Sequence, residues 1–220
     1  MTVTSVYSRL EPLLAQVSKP VQYIGGEVNS VSKPFGDAEV SWALMYPDTY
    51  EVGQPNQGLA ILYEILNEQD WILAERTFSI WPDLAALMRR NQVPQFSWEN
   101  HLPVRAFDLL GVSFSTELGY TNLLEALDLA GIPLHSVDRG LDDPVVIAGG
   151  HAAFNPEPIA DFIDAAVLGD GEQAAMAVSQ LVREWKAAGR PDGRRGLLLR
   201  LARSGVAYVP SLYDVSYADD

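Results

Sequence analysis

Two hundred and twenty residues with 48% hydrophobic content fit one generous domain with appended ends, and they supply enough apolar side chains to argue against global disorder. Fifteen Lys and Arg against 29 Asp and Glu leave a net charge of −14 at pH 7, which repels phosphate backbones and anionic lipid surfaces alike. There is no cysteine, so no disulfide, thiolate zinc site, iron–sulfur cluster or cysteine nucleophile can come from this chain's own side chains.

The amino-terminal MTVTSVYSRLEPLL has no basic segment followed by a long apolar core, so no signal peptide is expected. Residues 1–36 read as a lead-in. Within it Leu10, Leu13, Leu14 and Val17 are spaced for a short amphipathic helix that Lys19-Pro20 ends, and YIGGEVNSVSKPFG is irregular. From Val40 strands alternate with helices. Val40–Tyr46 is a nearly continuous apolar run, as in a strand buried on both faces; Leu59–Leu66 has helical spacing. A strand at Ile72–Phe78, a helix at Pro82–Arg90, a strand at Leu109–Phe114 and a helix at Thr121–Ala130 stopped by Gly131 follow. Val145–Ala148, closed by Gly149-Gly150, reads as the fourth strand, Ile159–Phe162 as a helical turn and Ala165–Leu168 as the fifth strand. A long helix is expected over about 172–186. No run approaches the roughly 18–20 apolar residues of a membrane span.

This order predicts right-handed crossovers and a doubly wound, Rossmann-like or flavodoxin-like α/β fold: about five parallel strands with helices on both faces. The α/β domain is placed at 37–188. Residues 189–220 form a basic, leucine-rich helix and then an aromatic strand from Val206 to Tyr217 that needs a sheet to join. Ligands of such folds sit beyond the carboxyl ends of the strands, so the loops after the strands are the places to search.

After the first strand comes Tyr46-Pro47-Asp48-Thr49-Tyr50-Glu51-Val52-Gly53, a capped turn whose Gly53 lets a ligand approach or simply closes the turn. After the third, Ser113, Ser115 and Thr116 offer hydroxyls to a ligand or to a helix cap. After the fourth, Gly149-Gly150 leave a ledge without side chains beside His151, wide enough for a planar ligand and equally usable as a tight turn. Gly169-Asp170-Gly171-Glu172-Gln173-Ala174 matches the loose dinucleotide pattern. It follows the last strand instead of the first, and Asp170 and Glu172 would repel a pyrophosphate, so nicotinamide binding is rejected. A phosphoacceptor receiver also fails, because Ser113 and Asp170 stand where its aspartate and basic residue belong. Three histidines, His101, His135 and His151, are too few for a histidine-rich metal site.

Taken together, YPDTYEVG (46–53), GVSFSTELGYTN (111–122), AGIPL (130–134), VVIAGGHAAFNPEP (145–158) and GDGE (169–172) resemble the amino-terminal domain of radical SAM proteins that contain a cobalamin (vitamin B12)-binding domain. The resemblance runs from about Tyr23 to the last residues. It implies cobalamin over the carboxyl edge of the sheet, its nucleotide tail running down between strands and helices. The corrin would lie over Gly149 and Gly150 beside His151, with the tail near Ser113, Ser115, Thr116 and the Gly169, Gly171 and Glu172 loop. Asp48-Thr49-Tyr50-Glu51-Val52-Gly53 aligns with the Asp-x-His-x-x-Gly of base-off cobalamin domains. Asp48, Thr49, Tyr50 and Gly53 are thereby assigned to the cofactor, but Tyr50 replaces the cobalt-ligating histidine. In the family a barrel follows, whose three cysteines hold a [4Fe–4S] cluster and bind S-adenosylmethionine.

The resemblance therefore implies a cobalamin-binding-like amino-terminal part, truncated before the barrel, cytoplasmic, and not an active enzyme alone. Its partner would be a radical SAM domain, downstream or in another chain; no catalytic or metal-ligating residue is assigned. Gly150→Val or Ser113→Leu would then abolish corrin binding with the fold intact. The alternative is a ligand-free docking module whose aromatic tail (Tyr208, Leu212, Tyr213, Tyr217) pairs with a partner's sheet edge. An independent small-molecule enzyme has no nucleophile–base pair to support it.

Overall fold

The computed structural model describes residues 3–214 and Ser216. Its centre is one five-stranded parallel sheet in the order β2-β1-β3-β4-β5, made of β1 (Val40–Tyr46), β2 (Ile72–Phe78), β3 (Leu109–Ser113), β4 (Val145–Gly149) and β5 (Ala165–Ala166). The doubly wound α/β expectation holds. The helices are α1 (Tyr7–Leu14), α2 (Tyr50–Gly53, a single turn), α3 (Gln57–Asn67), α4 (Pro82–Asn91), α5 (Tyr120–Ala130), α6 (Gly171–Ala187) and α7 (Gly193–Arg203). No described helix is long and apolar enough to cross a membrane.

Local chemistry sets the boundaries. Asn56 caps α3 by accepting the Leu59 N–H at 2.9 Å. Pro82 opens α4 with Asp83 in its first turn and Arg89 and Arg90 in its last. Gly131, at φ +67°, ends α5 in the left-handed conformation. Strand alternation then divides the core in two. Val40, Trp42 and Leu44 of β1 join one apolar cluster, while Ala43 and Met45 join the other. Among the helices α3 packs against α6, α6 against α7, and α4 against α1 and α5.

Both ends of the chain enter this core. Leu10, Leu13 and Leu14 of α1 are buried, as are Tyr23 and, in α7, Leu197, Leu198 and Leu201. The 206–217 segment differs from its expected strand. Among its described residues it makes a single antiparallel bridge, Tyr208 with Ala166, through two backbone hydrogen bonds of 2.7 and 2.8 Å. Pro210 then opens a short 3-10 turn, because proline brings no N–H to continue a ladder. Val215 and Tyr217 of the expected strand lie outside the described residues. The bridge nonetheless covers the free edge of β5. Opposite, the 95–99 segment covers β2: Trp98 N–H donates to the Arg76 carbonyl at 2.8 Å and Thr77 Oγ1 to the Phe96 carbonyl at 2.8 Å.

Candidate functional site at the carboxyl edge

The strand order reverses at β1, which places the switch-point crevice between the carboxyl ends of β1 and β3. That crevice is bridged by protein. Tyr46 Oη donates to Ser115 Oγ at 3.0 Å, Asn122 Nδ2 donates to the Pro47 carbonyl at 2.8 Å, and a Cβ on Gly119 would stand 2.8 Å from Pro47. The open volume lies beside it, between the sheet and the α3–α6 layer, as a cavity of about 290 Å³. Its sheet wall is Trp42 and Leu44 of β1, Gly111 and Ser113 of β3, and Ile147 and Gly149 of β4. The opposite wall is Gly58, Leu59 and Leu62 of α3 with Ala175 and Val178 of α6, and the rim carries Gly150, His151, Gly169, Asp170, Gly171 and Glu172.

Seven of the residues assigned from sequence therefore meet at one place: Ser113, Gly149, Gly150, His151, Gly169, Gly171 and Glu172. The two central glycines play different parts. A Cβ on Gly149 would meet nothing within 4 Å, so this strand end is an open ledge. Gly150 has φ +88° and ψ −177°, and a Cβ there would lie 2.5 Å from the Phe114 carbonyl oxygen. Gly150 thus lets the β3 and β4 ends approach each other, and Gly150→Val cannot leave the fold intact as expected from sequence. Gly171 does similar work for the helices, since a Cβ there would sit 3.3 Å from Leu62.

The other six assigned residues are elsewhere. The Asp48–Gly53 turn faces the lead-in. Asp48 Oδ1 accepts the Thr49 N–H at 2.7 Å, Tyr50 Oη donates to Glu27 at 2.5 Å, and the Tyr50 ring stands edge-on to Phe78. Burial, reinforced by the Glu27 carboxylate, pushes the Tyr50 phenol up to about 12. A Cβ on Gly53 would lie 2.5 Å from the Phe78 ring, so that glycine serves packing. Ser115 and Thr116 are exposed outside the cavity.

Sequence reasoning missed the floor. The Trp42 indole fills the space over Gly111, where a Cβ would stand 2.8 Å from the ring. Its Nε1 donates to Ser179 Oγ at 2.9 Å, and Ser179 in turn donates to the Ala175 carbonyl at 2.7 Å. A glycine within the apolar run LLGVS was the available signal, because a strand glycine marks a close approach. A second cavity, of about 310 Å³, opens at the opposite edge of the sheet. Its cations are already paired, Lys186 with Asp108 of the lining at 2.8 Å and Arg194 with Asp164 behind it at 2.7 Å, which leaves it a weaker candidate. Among the described residues no group of three or more His, Cys, Asp or Glu side chains is placed to hold a metal.

No curated protein and no solved structure matches this chain. A family model, described as radical SAM proteins, N-terminal, matches residues 58–210, a span that includes β2 to β5 and every rim residue of the carboxyl-edge cavity. The chain belongs to this family of radical SAM amino-terminal domains.

Proposed function

We propose that the chain is a corrinoid-holding domain that presents cobalamin to a radical SAM partner. The observation that carries this reading is the meeting of three strand ends around one cavity: Ser113, Gly149-Gly150-His151 and Gly169-Asp170-Gly171-Glu172. The Gly149 ledge has open space where a side chain would stand, which suits the face of a large planar group. The volume of about 290 Å³ lies near the lower end of small-molecule pockets. It suits the nucleotide tail of the cofactor, with the corrin outside on the ledge.

When bound, cobalamin would supply carbon–cobalt chemistry, and this chain's residues would bind and orient it. Gly149 would leave room for the ring, Ser113 would offer a hydroxyl to the tail, and the apolar walls would exclude water. Tyr50 has its hydroxyl on Glu27 and does not line the cavity, so this reading assigns it no part as a cobalt ligand. With no cysteine in the chain, the cluster that cleaves S-adenosylmethionine would have to be held by the partner.

The test is equilibrium dialysis against hydroxocobalamin. Gly149→Leu starts from a Cβ that meets nothing within 4 Å and extends over the ledge, and Ser113→Leu crowds the cavity. Each is expected to weaken binding at least about tenfold, a loss of about 1.4 kcal/mol, with unchanged urea unfolding. Affinity equal to the wild type in both variants would remove the assignment.

A second reading, a docking surface without cofactor, draws support from Leu118, Phe154 and Leu168. They are 85%, 65% and 49% exposed in the segments that follow β3, β4 and β5. The aromatic tail serves that reading less well, because Tyr208 already pairs with Ala166 and donates to Glu157 at 2.9 Å.

A further inference from the structure

We propose that the carboxyl edge of the sheet is a docking face for a basic amphipathic helix of a partner protein. Leu118, Phe154 and Leu168 receive the apolar side of that helix, and the acidic residues beside them receive its lysines and arginines. The inference goes beyond both readings above, because it fixes the partner's chemistry whether or not a cofactor lies on the Gly149 ledge.

Three neighbouring strands each deliver one large apolar side chain to this edge. Leu118 stands in the turn after β3, Phe154 in the turn after β4 and Leu168 two residues after β5. These strands are adjacent and parallel, so their loops leave the sheet side by side. The exposure of the three side chains does not come from loose loops. Tyr120 Oη donates to the Ala152 carbonyl at 3.0 Å, Ala152 N–H to the Phe114 carbonyl at 3.1 Å, and Val167 N–H to the Ala148 carbonyl at 2.8 Å. The apolar groups are thus held in place before a partner arrives, which lowers the ordering cost of association. Two strand spacings separate β3 from β5, about 10 Å along the edge, and two turns of an α-helix cover the same distance.

Charge selects the kind of helix. The segments that leave the five strands, residues 47–56, 79–81, 114–119, 150–162 and 167–170, contain no Lys or Arg. Glu117, Glu157, Asp161 and Asp170 are exposed on those segments, and Glu172 in the first turn of α6. Among the described residues none of these five carboxylates is in an ion pair. A face with apolar groups among uncompensated carboxylates attracts a cationic, apolar polypeptide. It repels anionic lipid, nucleic acid and the same edge of a second copy. The chain's own basic helix, α7, cannot serve from a second copy, because Leu197, Leu198 and Leu201 of its apolar side are buried in the core.

The experiment titrates the full chain with an amidated peptide of about 14 residues, leucines and lysines set at helical spacing, and reads binding by calorimetry. One comparison peptide keeps the composition in scrambled order, and another has glutamate for every lysine. Saturable one-to-one binding is expected for the first peptide, with the scrambled one at least about tenfold weaker and the glutamate one not bound. Leu118→Ser combined with Phe154→Ser should weaken binding about tenfold. The urea midpoint should stay unchanged, because both side chains already face water. Val137→Ser, which removes an exposed apolar side chain from the loop that enters β4 at the opposite edge, should leave binding as in the wild type.

Equal affinity for the ordered and scrambled peptides would reduce the attraction to net charge and overturn the proposal. Absence of binding would overturn it too, as would equal losses in the carboxyl-edge variant and in Val137→Ser. A parallel titration with hydroxocobalamin separates the docking face from the corrinoid reading. Peptide binding without hydroxocobalamin binding would uphold the docking face and remove the corrinoid. Hydroxocobalamin binding without peptide binding would do the reverse.

Discussion

Gly149 and Gly150 are adjacent in sequence and opposite in duty. The first faces open space; the second has φ +88°, and a Cβ on it would stand 2.5 Å from the Phe114 carbonyl oxygen. Gly150→Ala is therefore expected to cost about 3 kcal/mol, from a backbone region nearly closed to side chains plus a contact that only a main-chain shift relieves. Gly149→Ala should stay within about 0.5 kcal/mol of the wild type. Urea unfolding of both variants checks the contrast, and equal losses would contradict it. Tyr50 gives the same lesson in reverse. Its place in an Asp-x-Tyr-x-x-Gly turn pointed to the cofactor, yet its hydroxyl is held by Glu27 and its ring by Phe78. Turn chemistry was legible in the sequence. The direction in which the turn faces was not, because it depends on a lead-in brought back from more than twenty residues away.

At the scale of elements, β2 and the segment that covers it share an uncommon arrangement. Glu75 is fully buried in β2. Ser97 donates to it, as do the Asn100 side chain at 2.5 Å and the Asn100 N–H at 3.3 Å. Burial raises its carboxyl above the ordinary 4.5, with those hydrogen bonds pulling it back. Burial likewise pushes Glu99 up to about 7, against the pull of Arg76, whose Nε donates to it at 2.7 Å. An acid whose folded pKa is raised keeps its proton longer in the folded state, so stability is complete below the unfolded value. It declines as pH rises from 4.5 through the folded value. Through Glu99, stability should therefore fall between about pH 4.5 and 7 by up to about 1.4 kcal/mol per unit, and the raised Glu75 carboxyl adds a slope of the same sign. Glu75→Gln should flatten its share of that slope in urea titrations; a slope unchanged by the variant would contradict the account.

A second buried junction ties α7 to the sheet. Asp164 accepts from Arg139 at 2.8 Å and Arg194 at 2.7 Å, and from the Val146 N–H at 2.7 Å. Asp164→Ala leaves the fully buried Arg139 guanidinium without its counter-charge and should cost about 3–5 kcal/mol, read as a lowered midpoint in urea. A loss below 1 kcal/mol would show the junction to be dispensable. Neither cluster was visible in the sequence, because each joins residues eighteen or more positions apart. The strands and helices were visible, because β1 is a nearly unbroken apolar run and α3 and α5 carry apolar residues at helical spacing with Asn56 and Gly131 marking their ends. The aromatic tail read as a strand from its composition, but Pro210 and the short β5 limit it to one bridge.

For the whole molecule, the sheet gathers residues from three strand ends into one cavity, and the chain's lead-in and α7 are built into the same core. The rim of that cavity was legible because glycines and hydroxyls follow strands in a doubly wound fold. Its floor was not, because Trp42 looks like any core aromatic until Gly111 is seen beneath it. The rim is acidic and the net charge is −14, which matches an uncharged planar group better than a polyphosphate. The most direct measurement is a titration of the purified chain with hydroxocobalamin, followed by the visible spectrum and equilibrium dialysis. The account expects saturable one-to-one binding that Gly149→Leu weakens. Absence of binding at concentrations on the order of tens of micromolar, where a binding free energy stronger than about −6 kcal/mol would register, would contradict it.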